Sequence, residues 1–229
     1  MRTHSGVYAL RSGGYVNFDG KMKVVYSDEA IVVTDKVSGF LAVPGKGEHN
    51  LDSVSWRVKN MYEGCIDQPS VHRLDMDTSG LMVLAKTKEA HRHLSIQFQN
   101  REPEKFYEAL LEGHLIQESG IIELPFRLDV DNRPHQIFDP EHGKMGTTHW
   151  RKLGLEGEFT RVEFKPITGR THQLRVHSAH SLGLGIPIVG DPLYGNGDEP
   201  GKLKLHAKFL SFTHPVSGEK MTFESIAPF

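Results

Sequence analysis

The sequence predicts an α+β protein: a mixed, largely antiparallel sheet with a few packed helices. Three observations predict it. Short runs rich in β-branched and aromatic residues, bounded by Gly, Pro, Asn and Asp, recur along the chain. Helical spacing holds in only about three segments. No repeat, low-complexity tract or linker divides the 229 residues, so a single domain is expected after a loose arm at residues 1–21.

Composition narrows the class. Apolar residues are 38% and charged residues 24%, the balance of an ordinary globular protein. No stretch of 18 apolar residues would span a membrane, and the glycine-bearing N-terminus has no apolar signal region. The lone cysteine, Cys65, cannot form an internal disulfide and excludes Cys-rich zinc motifs, so a reducing cytoplasm is the expected home. The net charge of −2 gives no global basic signature, and any nucleic-acid binding has to come from a local patch.

The elements follow in order. The arm holds a short edge strand at 15–18. Residues 24–26 and 31–33 flank a turn and form a hairpin. Residues 40–43 make a strand that Pro44-Gly45 stops. Asn50 or Asp52 caps a helix to Tyr62, with Leu51, Val54, Val58 and Tyr62 on one face. Strands at 70–74 and 81–85 surround a turn at Asp77-Thr78-Ser79-Gly80. A helix over 88–100 buries Ala90, Leu94 and Phe98. Strands follow at 105–111, 120–124, 135–139, 146–153 and 158–164. Residues 171–181 suit a helix between Gly169 and Gly183. Strands at 186–189, 204–213 and 220–224 finish the chain.

Three segments carry chemistry. In Val71-His72-Arg73-Leu74-Asp75-Met76-Asp77-Thr78-Ser79-Gly80-Leu81, turn chemistry places Asp75 at a sharp bend. It is either a turn residue satisfying backbone amides or a held carboxylate. Residues 165–180 carry Lys165, Arg170, Arg175 and three histidines with no acid. They are either a solvated basic helix face or a site, with Thr168-Gly169-Arg170 offering backbone amides to an anion. In Lys105-Phe106-Tyr107-Glu108, Lys105 and Tyr107 share a strand face. Tyr107 is either a half-buried strand residue or a platform for a base. Two further patterns point nowhere. The glycines at 183–190 have the wrong spacing for a nucleotide loop, and Pro187 breaks the helix it needs. His172, His177 and His180 fit no metal motif, so no metal is expected.

Together these motifs resemble the RluA family of RNA pseudouridine synthases. The resemblance rests on His72-Arg73-Leu74-Asp75 with Thr78-Ser79-Gly80-Leu81, on Lys105-x-Tyr107, and on Pro166 through Arg170 to His177. Asp191-Pro192-Leu193-Tyr194-Gly195 and Leu205-His206-Ala207 complete it. Thr34-Asp35-Lys36-Val37-Ser38-Gly39 departs from the family's Asn-Lys-Pro-x-Gly. The stretch before Lys23 is too short for an S4 domain. The chain therefore looks like the short RluA subgroup, also at Glu102-Pro103-x-Lys105 and Asn132-Arg133-Pro134.

The resemblance implies a pseudouridine synthase fold with a central active-site cleft, residues 22–229 forming the catalytic domain. It implies an isomerase of uridine in large-subunit rRNA and the tRNA anticodon arm, acting without a cofactor and expected to be a monomer. Asp75 would serve as nucleophile or stabiliser at C1′, as carboxylates do in glycoside chemistry. Arg170 would be its cation. Tyr107 would stack on the uracil and help move the C5 proton. His72, Arg73, Lys105, Leu174 and Arg175 would contact the RNA, Arg73 filling the space of the flipped base. Lys105, Arg175 and parts of 127–136 would meet phosphates. Two rivals share the residues. A nucleoside hydrolase or glycosidase needs a second acid, for which Asp77 is the near candidate. A non-catalytic RNA-binding protein needs no Asp75.

Overall fold

The computed structural model describes residues 7–8, 20–47 and 50–229. The elements run β1 (Val7–Tyr8), β2 (Met22–Ser27), β3 (Ile31–Lys36), α1 (Val54–Met61), β4 (Ser79–Ala85), α2 (Lys88–Asn100) and β5 (Glu104–Leu111). They continue with β6 (Ser119–Leu128), β7 (Gln136–Phe138), β8 (Lys144–Glu156), β9 (Phe159–Pro166), α3 (Gln173–Ala179), β10 (Leu205–Thr213) and β11 (Lys220–Glu224). β2–β3, β3–β4, β5–β9, β6–β7, β6–β8, β8–β9 and β10–β11 pair antiparallel and β1–β11 pairs parallel, a largely antiparallel sheet as the sequence predicts. The chain divides into two compact units. The first runs up to Lys105 and resumes over Ala207–Pro228; the second covers Phe106–His206 and takes in Phe229. The expected strand at 15–18 lies outside the described residues.

In the first unit the strand order is β2-β3-β4-β10, with β11 on β10 and β1 on β11. Asp28 makes the first hairpin: its carboxylate accepts the amides of Ala30 at 2.8 Å and Ile31 at 2.9 Å. β4 is buried along its whole length, as expected of a central strand covered on both faces. Ile31, Val33, Leu81, Val83, Leu94, Leu210, Phe212 and Phe223 form the core. α2 begins where Thr87 accepts the Ala90 amide at 3.1 Å and ends at Arg101, whose φ is 62°.

Three expected elements differ, each for a hydrogen-bonding reason. α1 is capped by Ser53, which accepts the Trp56 amide at 3.2 Å. Asp52 pairs with Arg57 instead, and Leu51 is left outside the helix, 44% exposed. Residues 40–43 form no strand, because the Leu41 and Ala42 carbonyls accept the first amides of α1, Val54 and Ser55. In 70–74 only Ser70 bridges β4, opposite Leu84. The His72 ring takes the Val83 amide that a paired strand would have used.

The second unit is an antiparallel sheet in the order β5-β9-β8-β6-β7. Its core gathers Ala109, Leu111, Ile122, Leu124, Phe126, Trp150, Val162, Phe164, Leu174 and Val176. α3 starts later than the composition suggests, after His172 at φ 55°. Residues 186–189 contribute a single bridge, Leu111 to Ile188, in place of a strand.

Candidate active site

The candidates fall four and four between the units. The first unit holds His72, Arg73, Asp75 and Lys105; the second holds Tyr107, Arg170, Leu174 and Arg175.

The bend carrying Asp75 is built by backbone contacts. The Asp75 carbonyl accepts the Thr78 amide at 3.1 Å, and the Met76 carbonyl accepts the Gly39 amide at 3.0 Å. Ser38 Oγ donates to the Asp77 carbonyl. Lys36 Nζ reaches the Met76 and Phe40 carbonyls, each at 2.7 Å, and Val37 at 3.0 Å. The exit from the bend depends on Gly80. Its φ is +113°, and a Cβ there would lie 2.4 Å from the Ala207 carbonyl oxygen. No other residue fits both requirements.

The carboxylate of Asp75 stands apart from the other turn aspartates. Asp28, Asp139 and Asp191 each accept two local backbone amides: Ala30 and Ile31, Glu141 and His142, Leu193 and Tyr194. Among the described residues, the Asp75 carboxylate accepts no backbone amide, although its turn is closed by the Thr78 amide. A residue whose carboxylate is not used to build its own turn is available for something else. Asp77, the second acid a hydrolase would need, is only 6% exposed.

Lys36 is a member of this site that sequence reasoning missed. It is 1% exposed, and burial pulls its pKa down to about 7 against the opposing pull of Asp77, Asp75 and Asp35. The legible signal is an ionisable residue ending a strand of buried apolar ones; such groups are rarely buried without a task.

His72, placed at the substrate by resemblance, has a load-carrying position in the scaffold. Its ring stacks on Phe98 at 4.4 Å, and Nε2 accepts the Val83 amide at 3.1 Å. Burial, with Lys105 nearby, drives its pKa down to about 3, so the ring is neutral. Lys105 lies over the Phe98 ring at 5.7 Å, and burial lowers its pKa. Arg73 is exposed.

In the second unit Tyr107 is half-buried on β5, opposite Phe164 of β9, and packs on the core. Leu174 belongs to that core. Arg170 is exposed, and its amide donates to Gln173 Oε1 at 3.0 Å. Gln173 also accepts the Thr168 hydroxyl at 2.7 Å. The anion reading of 168–170 is therefore corrected, since the Thr168 amide also points at the Thr147 carbonyl, at 3.4 Å.

Arg175 needs a correction too. It is 2% exposed, and its Nε and Nη2 bind the two oxygens of Asp191 at 2.8 and 2.6 Å. It is a structural cation, with no surface for phosphate. His172 and His177 are buried as well, so the basic face of 165–180 is largely internal. Of the arginines in 127–136, Arg127 pairs with Asp139 at 2.5 Å, and Arg133 is exposed.

Comparisons with known proteins agree on one relationship. The RNA pseudouridylate synthase family matches residues 30–180. The dual-specificity RNA pseudouridine synthase RluA of Yersinia pestis is 45% identical, covering 91% of this chain and 100% of that protein. The protein of the same name from Haemophilus ducreyi is 46% identical, over 89% of this chain and 92% of its own length. Among solved structures, the human RNA pseudouridylate synthase domain containing 1 protein superposes with a TM-score of 0.70 at 28% identity, covering 91% of this chain and 84% of that one. The human domain containing 4 protein shares the fold at a TM-score of 0.68, over 90% of this chain and 88% of that one, with 24% identity.

Proposed function

This chain belongs to the RNA pseudouridylate synthase family, and on that premise we propose that it converts uridine to pseudouridine in both large-subunit rRNA and the anticodon arm of tRNA, with residues 22–229 as its catalytic domain. The dual-specificity names of its relatives support the pair of substrates. The observation that carries the reading of the site is the Asp75 bend, whose backbone is pinned by Lys36, Gly39 and Thr78 while its carboxylate takes no part in the turn.

The reaction is an isomerisation. The N1–C1′ bond breaks, a C5–C1′ bond forms, and the proton leaving C5 is balanced by one gained at N1. Positive charge builds at C1′ as the base departs, and the Asp75 carboxylate stabilises it or bonds to it. By the family resemblance, Arg170 is the cation that partners Asp75. Tyr107 stacks on the uracil, and it or a water it holds takes the C5 proton. The uridine leaves its stack to be reached, and Arg73 occupies the space behind it. Loops with splayed bases suit such recognition.

Tritium release from 5-tritiated uridine in a short hairpin RNA tests the proposal. Asp75→Asn, nearly isosteric, is expected to lower release at least about 1,000-fold while RNA affinity stays within a few-fold. Activity within tenfold of the unmodified protein would remove Asp75 from its role. Free uracil among the products would favour the hydrolase, and binding without nucleoside change the RNA-binding protein.

A further inference from the structure

Tyr194 lies outside every role assigned above, yet its hydroxyl joins two separate segments of the second unit. The Gln136 amide donates to Tyr194 Oη at 2.8 Å, and His172 Nδ1 is 2.8 Å from the same oxygen. His135 and His172 both stand edge-on to the ring, at 5.7 and 5.6 Å. Gln136 and His135 close the turn between β6 and β7. There the Asp129 amide donates to the His135 carbonyl at 2.9 Å, and the exposed Arg133 sits at the tip. His172 is two residues past Arg170. One phenol therefore ties the β6–β7 turn to the segment that presents Arg170.

The tie acts on a strained residue. His172 has φ 55° and ψ 18°, and its side chain caps nothing in α3. A left-handed conformation is unfavourable for a residue with a Cβ and persists only where its surroundings hold it. The hydrogen bond to Tyr194 restrains the His172 ring. Tyr194 is itself rigidly placed: the Asp191 carboxylate accepts its amide at 3.1 Å, and the Arg175 guanidinium, bound to the same carboxylate, lies 5.3 Å from its ring centre. The buried Arg175–Asp191 pair thus serves as the footing for Tyr194.

We propose that the Tyr194 hydroxyl is a positioning group for catalysis: it holds His172 in its left-handed turn, sets the place of Arg170, and couples that place to the β6–β7 turn. This rests on the reading that Arg170 assists Asp75. Tyr194 touches no reacting atom, so its effect belongs to turnover and passes through Arg170.

The test is a double-mutant cycle on the full chain with the tritiated hairpin. Tyr194→Phe keeps the ring and removes the one oxygen that the Gln136 amide and the His172 ring nitrogen share. It is expected to lower kcat about 10- to 100-fold, with Kd for the RNA within about 3-fold. In an Arg170→Ala background the same change is expected to cost less than about 3-fold, because its route is already gone. His172→Gly, which tolerates the left-handed backbone, is expected to reproduce the kcat loss and serves if Tyr194→Phe fails to fold. Equal losses in both backgrounds, or a loss confined to Kd, overturn the proposal. If Arg170→Ala leaves kcat unchanged, the reading of Arg170 fails first, and a loss from Tyr194→Phe would then have to come by another route, which also overturns it.

Discussion

His177 buries an imidazole with neither ring nitrogen hydrogen-bonded among the described residues, and burial pulls its pKa down to about 4. His72 is held at about 3. Both rings are neutral in the folded protein and take up a proton on unfolding below their ordinary value of 6.5. The unfolded chain thus binds more protons between pH 6.5 and about 4 for His177, and down to about 3 for His72. Stability rises with pH across that window and is lost as acid is added, by on the order of 1 kcal/mol per pH unit for each ring. Urea unfolding at pH 7 and at pH 5 checks this. His177→Leu is expected to cost less than about 1.5 kcal/mol at pH 7, since no hydrogen bond is broken, and to flatten the acid slope by about one proton. An unchanged slope would show that the ring is hydrated.

Among the elements, the Arg175–Asp191 pair anchors α3 to the segment after residue 190. Removing one partner of a buried pair leaves the other charge uncompensated, at a cost of about 3–5 kcal/mol. Arg175→Ala is therefore expected to unfold at markedly lower urea. Arg175→Met, which fills the volume but still strands Asp191, should rescue it only in part. A shift under about 1 kcal/mol would return Arg175 to the surface role its motif suggests. α2 was legible because Ala90, Leu94 and Phe98 recur at helical spacing within the 13 residues of Lys88–Asn100. Residues 40–43 misled because an apolar run says nothing about where its carbonyls go; here they cap α1. Residues 70–74 misled because a histidine nitrogen replaces a backbone acceptor. At the site, Asp75 was legible from its turn chemistry. The burial of Arg175 was not, since its partner Asp191 lies sixteen positions away in a loop with no pattern to link them.

For the whole molecule, the net charge of −2 gives no general basic surface, and the burial of Arg175, His172 and His177 takes three basic side chains of the 165–180 segment away from RNA. Arg73, Arg133 and Arg170 are the exposed candidates. If these three meet phosphates, log K against log salt is expected to fall with a slope of about −2 to −3, at roughly 0.7–0.9 per phosphate. Filter binding of one hairpin RNA between low and moderate salt measures it. Each of Arg73→Ala and Arg133→Ala should flatten the slope by about one. A slope steeper than about −5 would mean that further cations take part.

Gly80 leaves no room for a side chain beside Ala207, and Leu81 and Val83 share their core with Leu210 and Phe212. The bend with Asp75 is translated before the strand it leans on, β10, whose Ala207 follows more than a hundred residues later. At about 5–20 residues per second, the ribosome delivers Ala207 about 7–26 s after Asp75. The second unit, from Phe106 to His206, is apart from Phe229 an unbroken piece of chain and can begin folding during that interval. The first unit has to wait. The bend that carries Asp75 thus stays unfinished until Ala207 has been made, and a chain truncated before Ala207 would never give Asp75 its seat.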